Sequence, residues 1–353
     1  MIEYSLVSPS DSVKYGDILS KTEVGGQIAL SFKRVPGLLE SLSRQFPYHE
    51  TVKASFEGKI AGFATISSQY LFINGMRSEV GHISGLKIYP EWRNKGVVKN
   101  AQPLVRSLVR KRGLDLFYIT VMEDNRIAKD LFWERKSYLP RFYDLGRMST
   151  YVLQIRKYGG SRQVEIVHPT MSELPSAVDF INSVLKKKEF SPVCEITDDL
   201  KAKDCYLAKL KGETVGAFFV SDQSDVRIAS VLKYGEGMRM FNFLNDILAE
   251  AGFCRKMPAE GSEVPIVYLS YLAVKDDNPK ILAEMLRAAS SDLWNSPYLY
   301  MVFGSHEADP LNKAVKGLAN ISYRSRIFAA NWGDGDLAKN INKDNIHIDP
   351  SLI

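Results

Sequence analysis

Apolar and polar positions alternate in several short stretches of the first 150 residues, and this two-residue period predicts strands. Tyr4 to Val7 reads as a first strand. Val52 to Phe56 and Ile60 to Ser67 form a hairpin turning at Glu57-Gly58-Lys59, and Gln69 to Ile73 turns at Asn74-Gly75 and returns toward Ser84. The period becomes helical from Val97 to Arg112, where Val97, Val98, Ala101, Leu104, Val105, Leu108 and Val109 share one face. Pro103 interrupts that face. Inside a helix it costs about 3 kcal/mol, so a kink or a late helix start is expected. Leu116 to Val121 is a buried strand, and Phe142 to Asp144 and Ser149 to Arg156 are closing strands. Residues 10 to 47 are less regular, with helical pieces such as Gly37 to Gln45.

Tyr158-Gly159-Gly160-Ser161 reads as a linker, after which the layout restarts. Val164 to Val167 is again a first strand and Ser172 to Lys187 an early helix. Tyr206 to Leu210 and Thr214 to Val220 repeat the hairpin across Lys211-Gly212-Glu213. Glu57-Gly58-x-x-x-Gly62 and Lys211-Gly212-x-x-x-Gly216 correspond at one constant offset. Met238 to Ala251 is an added helix-like segment, and Ile266 to Val274 and Leu299 to Phe303 are the next two strands. The expected organisation is a domain over 1–158, a second over 162–330 and a polar, partly loose tail over 331–353. A chain of 353 residues is long for a single core, which agrees.

The most informative segment runs from Gly81 to Val98: a strand, a turn, and a loop that opens a helix. Backbone N–H groups at a helix start are unpaired, and the helix dipole adds positive charge, so this is a site for phosphate or pyrophosphate. Gly96 lets the backbone approach an anion, and Arg93 and Lys95 add full charges. Arg93-x-x-Gly96, preceded by Leu86-x-Ile88-x-Pro90 and followed by a buried strand and Asn125-x-x-Ala128-x-x-Leu131-Phe132, resembles the GNAT superfamily of acyl-CoA-dependent N-acetyltransferases. The resemblance covers residues 50–140. It implies an α/β fold with a mixed, mostly antiparallel central sheet flanked by helices, here as two tandem GNAT-like domains. It implies acetyl-CoA as co-substrate, the strand near Leu86 and Ile88 holding the pantetheine arm, and Arg93, Asn94, Lys95, Gly96, Val97 and Val98 holding the pyrophosphate. A backbone N–H around Ile88 would polarise the thioester carbonyl. Asn125 would contact pantetheine or a bound water. Two positions depart from the family: Val98 stands where it has Gly or Ala, and Phe132 where it has a Tyr that protonates the leaving thiolate. Tyr138 lies nearby in sequence. In the second copy, Asp276-Asp277 replace the glycine loop and would repel a pyrophosphate. They read instead as capping residues of a helix with Pro279 in its first turn.

Direct attack by an amine needs a base. His82 precedes Arg93 by the interval at which arylalkylamine N-acetyltransferases of this superfamily carry a strand histidine assigned that role, and an ordinary imidazole near pKa 6.5 suits it. Glu79 is the alternative, or His82 simply packs at the sheet. The function implied is transfer of acetyl from acetyl-CoA to a primary amine on a small molecule or peptide. The alternatives are a non-catalytic acyl-CoA-binding or regulatory protein, or a transferase of a longer acyl or aminoacyl group. A net charge of +5 suits an anionic cofactor but marks no nucleic-acid module. Lys186-Lys187-Lys188 and Arg110-Lys111-Arg112 read as solvated basic surface. Cys194, Cys205 and Cys254 fit buried, reduced thiols, and neither they nor His168, His306 and His347 have metal-ligand spacing. Phe132 and Trp133 read as core, and Trp92 as packed against the loop. The first residues form no secretory signal and no apolar run reaches the ~18–20 residues of a membrane span. No membrane or nucleic-acid partner and a cytoplasmic location are expected.

Overall fold

The computed structural model describes the chain except residues 22–27, 135, 161–162, 237, 239–244, 247–248, 251, 253 and 333–334. The first half runs β1 (Glu3–Leu6), α1 (Ser12–Ser20), β2 (Ile28–Arg34), α2 (Leu38–Gln45), β3 (Tyr48–Phe56), β4 (Lys59–Ile73), β5 (Met76–Ile88), α3 (Val97–Arg112), β6 (Leu116–Met122), α4 (Arg126–Trp133) and β7 (Phe142–Gln154). The second runs β8 (Glu165–Val167), α5 (Leu174–Leu185), β9 (Ser191–Pro192), β10 (Cys205–Leu210), β11 (Glu213–Ser221), β12 (Arg227–Tyr234), β13 (Glu263–Val264), β14 (Ile266–Val274), α6 (Pro279–Asp292), β15 (Tyr300–His306), β16 (Asn320–Asn331) and α7 (Leu337–Asn340). The helix-like segment expected at Met238 to Ala251 lies largely outside the described residues.

Three hairpins share one cause. Glu57-Gly58, Asn74-Gly75 and Lys211-Gly212 all have positive φ at both positions, the two-residue turn whose twist matches paired strands. These turns set the register of β3–β4, β4–β5 and β10–β11. A single sheet of thirteen strands follows, in the order β1-β3-β4-β5-β6-β16-β7-β15-β14-β11-β10-β8, with β9 beside β4. Pairing is antiparallel apart from β5–β6 and β14–β15. The order holds an exchange: β16, from the second half, lies between β6 and β7 of the first, and β7 lies between β16 and β15. One ladder therefore crosses the molecule. A second sheet, β13-β12-β2, joins the irregular region of the first half to the second half.

Several expectations change. Helix α3 starts at Val97 and runs unbroken to Arg112, with exposed Pro103 inside it. Two predicted closing strands are one, β7. The residues after β16 are packed, not loose: Ile341, Ile346 and Ile348 join a core with Leu71, Val80, Tyr118 and Leu145. Their polar groups are paired locally, which explains the polar composition. Asn342 and Asp349 side chains each accept from a backbone N–H two residues on. Lys188 is buried rather than solvated, bonded to Asp277 at 2.5 Å and Asp309 at 2.9 Å. Asn278, not Asp276 or Asp277, caps α6, accepting from Lys280 N; Pro279 does occupy the first turn. Phe132 is core, but Trp133 is 49% exposed, under the guanidinium of Arg326. The cysteines are buried free thiols, and burial pushes Cys194 and Cys205 up to about 12.

Candidate active site

The parallel ladder of β5 and β6 consists of Gly81↔Phe117 and His82↔Tyr118, and past His82 the strands part. Two glycines set this up. A Cβ on Gly81 would stand 2.1 Å from the Phe117 ring, so the close approach requires glycine. Gly85, at φ 61°, lies in the register shift that bends β5 away after Ser84. On the far side of the opening, Gly96 sits in the left-handed region at φ 73° and begins α3 with no side-chain cap. The first N–H groups of that helix are consequently free to meet an anion. Gly113, also left-handed, closes the helix after Arg110-Lys111-Arg112, which complement its dipole.

A small apolar cavity of about 90 Å³ lies beside this opening. It brings together Leu86, Ile88, Val97 and Val98, with Phe132 at its wall. Arg93, Asn94 and Lys95 form the exposed turn next to it, where Lys95 stands 5.0 Å from the Trp92 ring. Asn125 lies outside this cavity and caps α4, its Oδ1 accepting from Ala128 N at 3.1 Å. Tyr138 does not line it either, although neighbouring Leu139 does.

A larger cavity of about 400 Å³ opens at the other face of the parting. Its floor is the main sheet, including His82 and Ser84 of β5, Thr120 of β6 and Tyr268 of β14. Strands β2 and β12 supply Phe32, Arg34, Arg227 and Val231. Residues of both halves thus form one chamber. His82 is buried, its ring stacked on Tyr118 at 4.5 Å, and its Nδ1 has no hydrogen-bond partner. Burial, and then the Arg34 charge, push the imidazole from 6.5 down to about 3, so the ordinary pKa expected from sequence does not hold. Burial and the nearby Arg227 also lower Arg34, to about 10. Glu79 lines neither cavity. It pairs with Arg112 at 2.7 Å and accepts from Ser68 Oγ at 2.5 Å.

Sequence reasoning missed Arg34 and Arg227. Each sits at an end of a strand in the second sheet, and no motif surrounds either one. Ala229-x-Val231 and Ile28-x-Leu30-x-Phe32 hold a weak alternation, a faint local trace of those strands.

The second half repeats the opening. β14 and β15 pair in parallel from Ile266↔Tyr300 to Tyr268↔Val302 and then part. Tyr271, at φ 56°, takes the place of Gly85, each three residues before the partner of a hairpin glycine: Gly62↔Ile88 and Gly216↔Val274. Here the chain itself fills the gap. Asp349 Oδ2 accepts from Tyr271 N at 2.9 Å, and a Cβ on Gly304 would meet Pro350 Cγ at 2.8 Å.

A mixed sheet whose central parallel strands part, with a glycine-started helix at the opening, defines the GNAT fold. Residues 27–136 match the family model described as acetyltransferase (GNAT) family. No curated protein matches the sequence. Among solved structures, a GCN5-related glucosamine N-acetyltransferase region of a fungal multi-domain GH3 β-N-acetylglucosaminidase is 12% identical with TM-score 0.62, covering 93% of this chain and 38% of that one. N-myristoyltransferase of Saccharomyces cerevisiae with bound myristoyl-CoA is 10% identical with TM-score 0.58, covering 98% and 89%. A GCN5-related N-acetyltransferase from Anabaena variabilis ATCC 29413 is 10% identical with TM-score 0.50, covering 93% and 72%. At these identities the likeness is one of fold. The family match covers residues 27–136, less than half of the chain, and acyl-CoA is the donor class of that family. Among the described residues no His, Cys, Asp or Glu cluster could hold a metal, and no helix is long and apolar enough to cross a membrane.

Proposed function

We propose that the protein transfers an acyl group, acetyl in the simplest case, from acyl-CoA to a primary amine in the 400 Å³ chamber. The observation that carries this reading is the parting of β5 and β6 after His82, between a helix start suited to an anion and a cavity large enough for a small acceptor. The pyrophosphate meets the N–H groups of α3 at Gly96 to Val98. The pantetheine arm lies against Leu86 and Ile88 and delivers the thioester to the chamber. His82 receives the proton the amine loses. Phe132 cannot donate one to the thiolate, so the leaving group departs as thiolate or draws on water. The second half contributes walls and no donor site, since its own gap holds Asp349 and Pro350.

Calorimetry with acetyl-CoA on the full chain tests the donor site. One molecule should bind per chain, and Gly96→Glu, which sets a carboxylate at the helix start, should weaken binding by at least about tenfold. Two bound molecules, or unchanged affinity in the variant, contradict the reading. A longer acyl donor is a second reading, favoured by the apolar cavity that Phe63, Ile66, Val105 and Leu131 line beside the opening. Hexanoyl-CoA and myristoyl-CoA should then outcompete acetyl-CoA.

A further inference from the structure

Arg34 and Arg227 stand directly opposite one another in the antiparallel pairing of β2 and β12. Directly opposite residues share a face of the sheet, about 5 Å apart at Cβ, and like charges placed so repel. Both arginines line the larger chamber, and among the described residues no aspartate, glutamate or lysine lines it with them. Their neighbours neutralise them only in part: buried Asp349 lies near enough to feel the Arg227 charge, but does not bond either guanidinium. Arg34 Nη1 donates to Gln45 Oε1. Arg227 donates to the backbone oxygens of Ile353 at 2.6 Å and Pro350 at 2.8 Å, and lies 4.1 Å from the Tyr268 ring centre. Its Nε is buried without a partner. Among the described residues no side-chain carboxylate forms an ion pair with either guanidinium. Two half-buried positive charges held together at an apolar wall are costly unless an anion joins them. Guanidinium forks match carboxylate and phosphate oxygens in shape.

We propose that the arginine pair is the recognition site for an oxyanion, a carboxylate or phosphate, carried by the amine acceptor itself. This rests on the acyl-transfer reading above and narrows its substrate to small amines bearing an acid group. The remaining lining, with Phe32, Val231, Tyr268, Tyr300 and Tyr323, suits an apolar or aromatic body between the two polar ends.

Matched pairs of amines test the idea on the full chain: phenylalanine against phenethylamine, and O-phosphoethanolamine against ethanolamine. Calorimetry without donor reads binding, and thiol release from acetyl-CoA reads turnover. In at least one pair the acid should bind tenfold to about a hundredfold tighter than its neutral partner, the range for hydrogen bonds to charged groups. Which pair responds tells carboxylate from phosphate. Arg34→Gln should abolish that preference and Arg34→Lys keep part of it. Arg44→Gln, which loses the same charge from an exposed pair with Asp225, should keep it whole. Circular dichroism confirms that each variant is folded. If acids bind and Arg34→Gln removes the preference but nothing is acetylated, the arginine site stands and the acyl-transfer reading falls. If neutral amines bind as well as acids, if Arg34→Gln keeps the wild-type ratio, or if no acid binds, the arginine proposal is overturned.

Discussion

At the scale of single residues, His82 decides most. A base with pKa about 3 is a weak acceptor for an alkylammonium in solution, but the ammonium formed as the amine attacks a thioester is far more acidic. A neutral imidazole standing in the chamber can take that proton. Removing a general base costs ~10²–10⁴-fold in rate, so His82→Ala should lower kcat by that order with a smaller change in KM. Full activity in the variant would reduce His82 to packing against Tyr118. The same burial makes a stability prediction. The folded pKa lies below the unfolded value of 6.5, so between about 3 and 6.5 the unfolded chain binds the extra proton. The stabilisation is fully present above pH 6.5 and is lost as pH falls toward 3. Urea melts of wild type and His82→Gln should converge on acidification, by about 1.4 kcal/mol per pH unit at most below 6.5. Melts that stay parallel from pH 7 to 5 would place the imidazole in contact with water.

At the scale of elements, what was legible is what local chemistry dictates. Glu57-Gly58, Asn74-Gly75 and Lys211-Gly212 announce their hairpins, and the apolar face from Val97 to Arg112 announces its helix, although Pro103 misled about its continuity. The helix start after Arg93-x-x-Gly96 was legible for the same reason. Strands β2, β12 and β16 were not. β2 and β12 acquire partners nearly two hundred residues away, and nothing in seven or eight residues states which strand they will meet. The tail misled because its polar side chains serve its own turns while Ile341, Ile346 and Ile348 carry its burial. The arginine pair belongs to this class: each residue is ordinary alone and becomes a site only through the β2–β12 register. Gly81 is the opposite case, fixed by one neighbour. Gly81→Ala would drive a methyl into the buried Phe117 ring, at one of the two rungs of the β5–β6 ladder. Overpacking of this kind costs about 1–3 kcal/mol, readable as a lower urea midpoint with unchanged slope. A variant as stable as wild type would mean that β5 and β6 can separate there at little cost.

At the scale of the molecule, the exchange of β7 and β16 makes the two halves interdependent. Without β16, the first half would leave the inner edges of β6 and β7 unpaired, from Leu116–Met122 and across most of Phe142–Gln154. Those edges are rich in buried apolar residues, among them Tyr118, Ile119, Leu145 and Met148, and an exposed edge of that kind invites association instead of folding. The first half would also lose the β12 partner of β2, and with it the wall of the chamber that carries Arg227. A fragment ending at residue 158 should therefore be insoluble or lack the sharp, cooperative melt of the full chain, although it contains every residue of the proposed donor loop. Co-expression with a fragment from residue 162 onward should restore a soluble complex that binds acetyl-CoA once, since the sheet needs the strands and not their covalent link. Calorimetric unfolding of the intact chain should correspondingly give one transition. A fragment 1–158 that folds alone and binds acetyl-CoA with full affinity would show that β16 only extends a complete domain, and the shared sheet would then be a docking of two finished units.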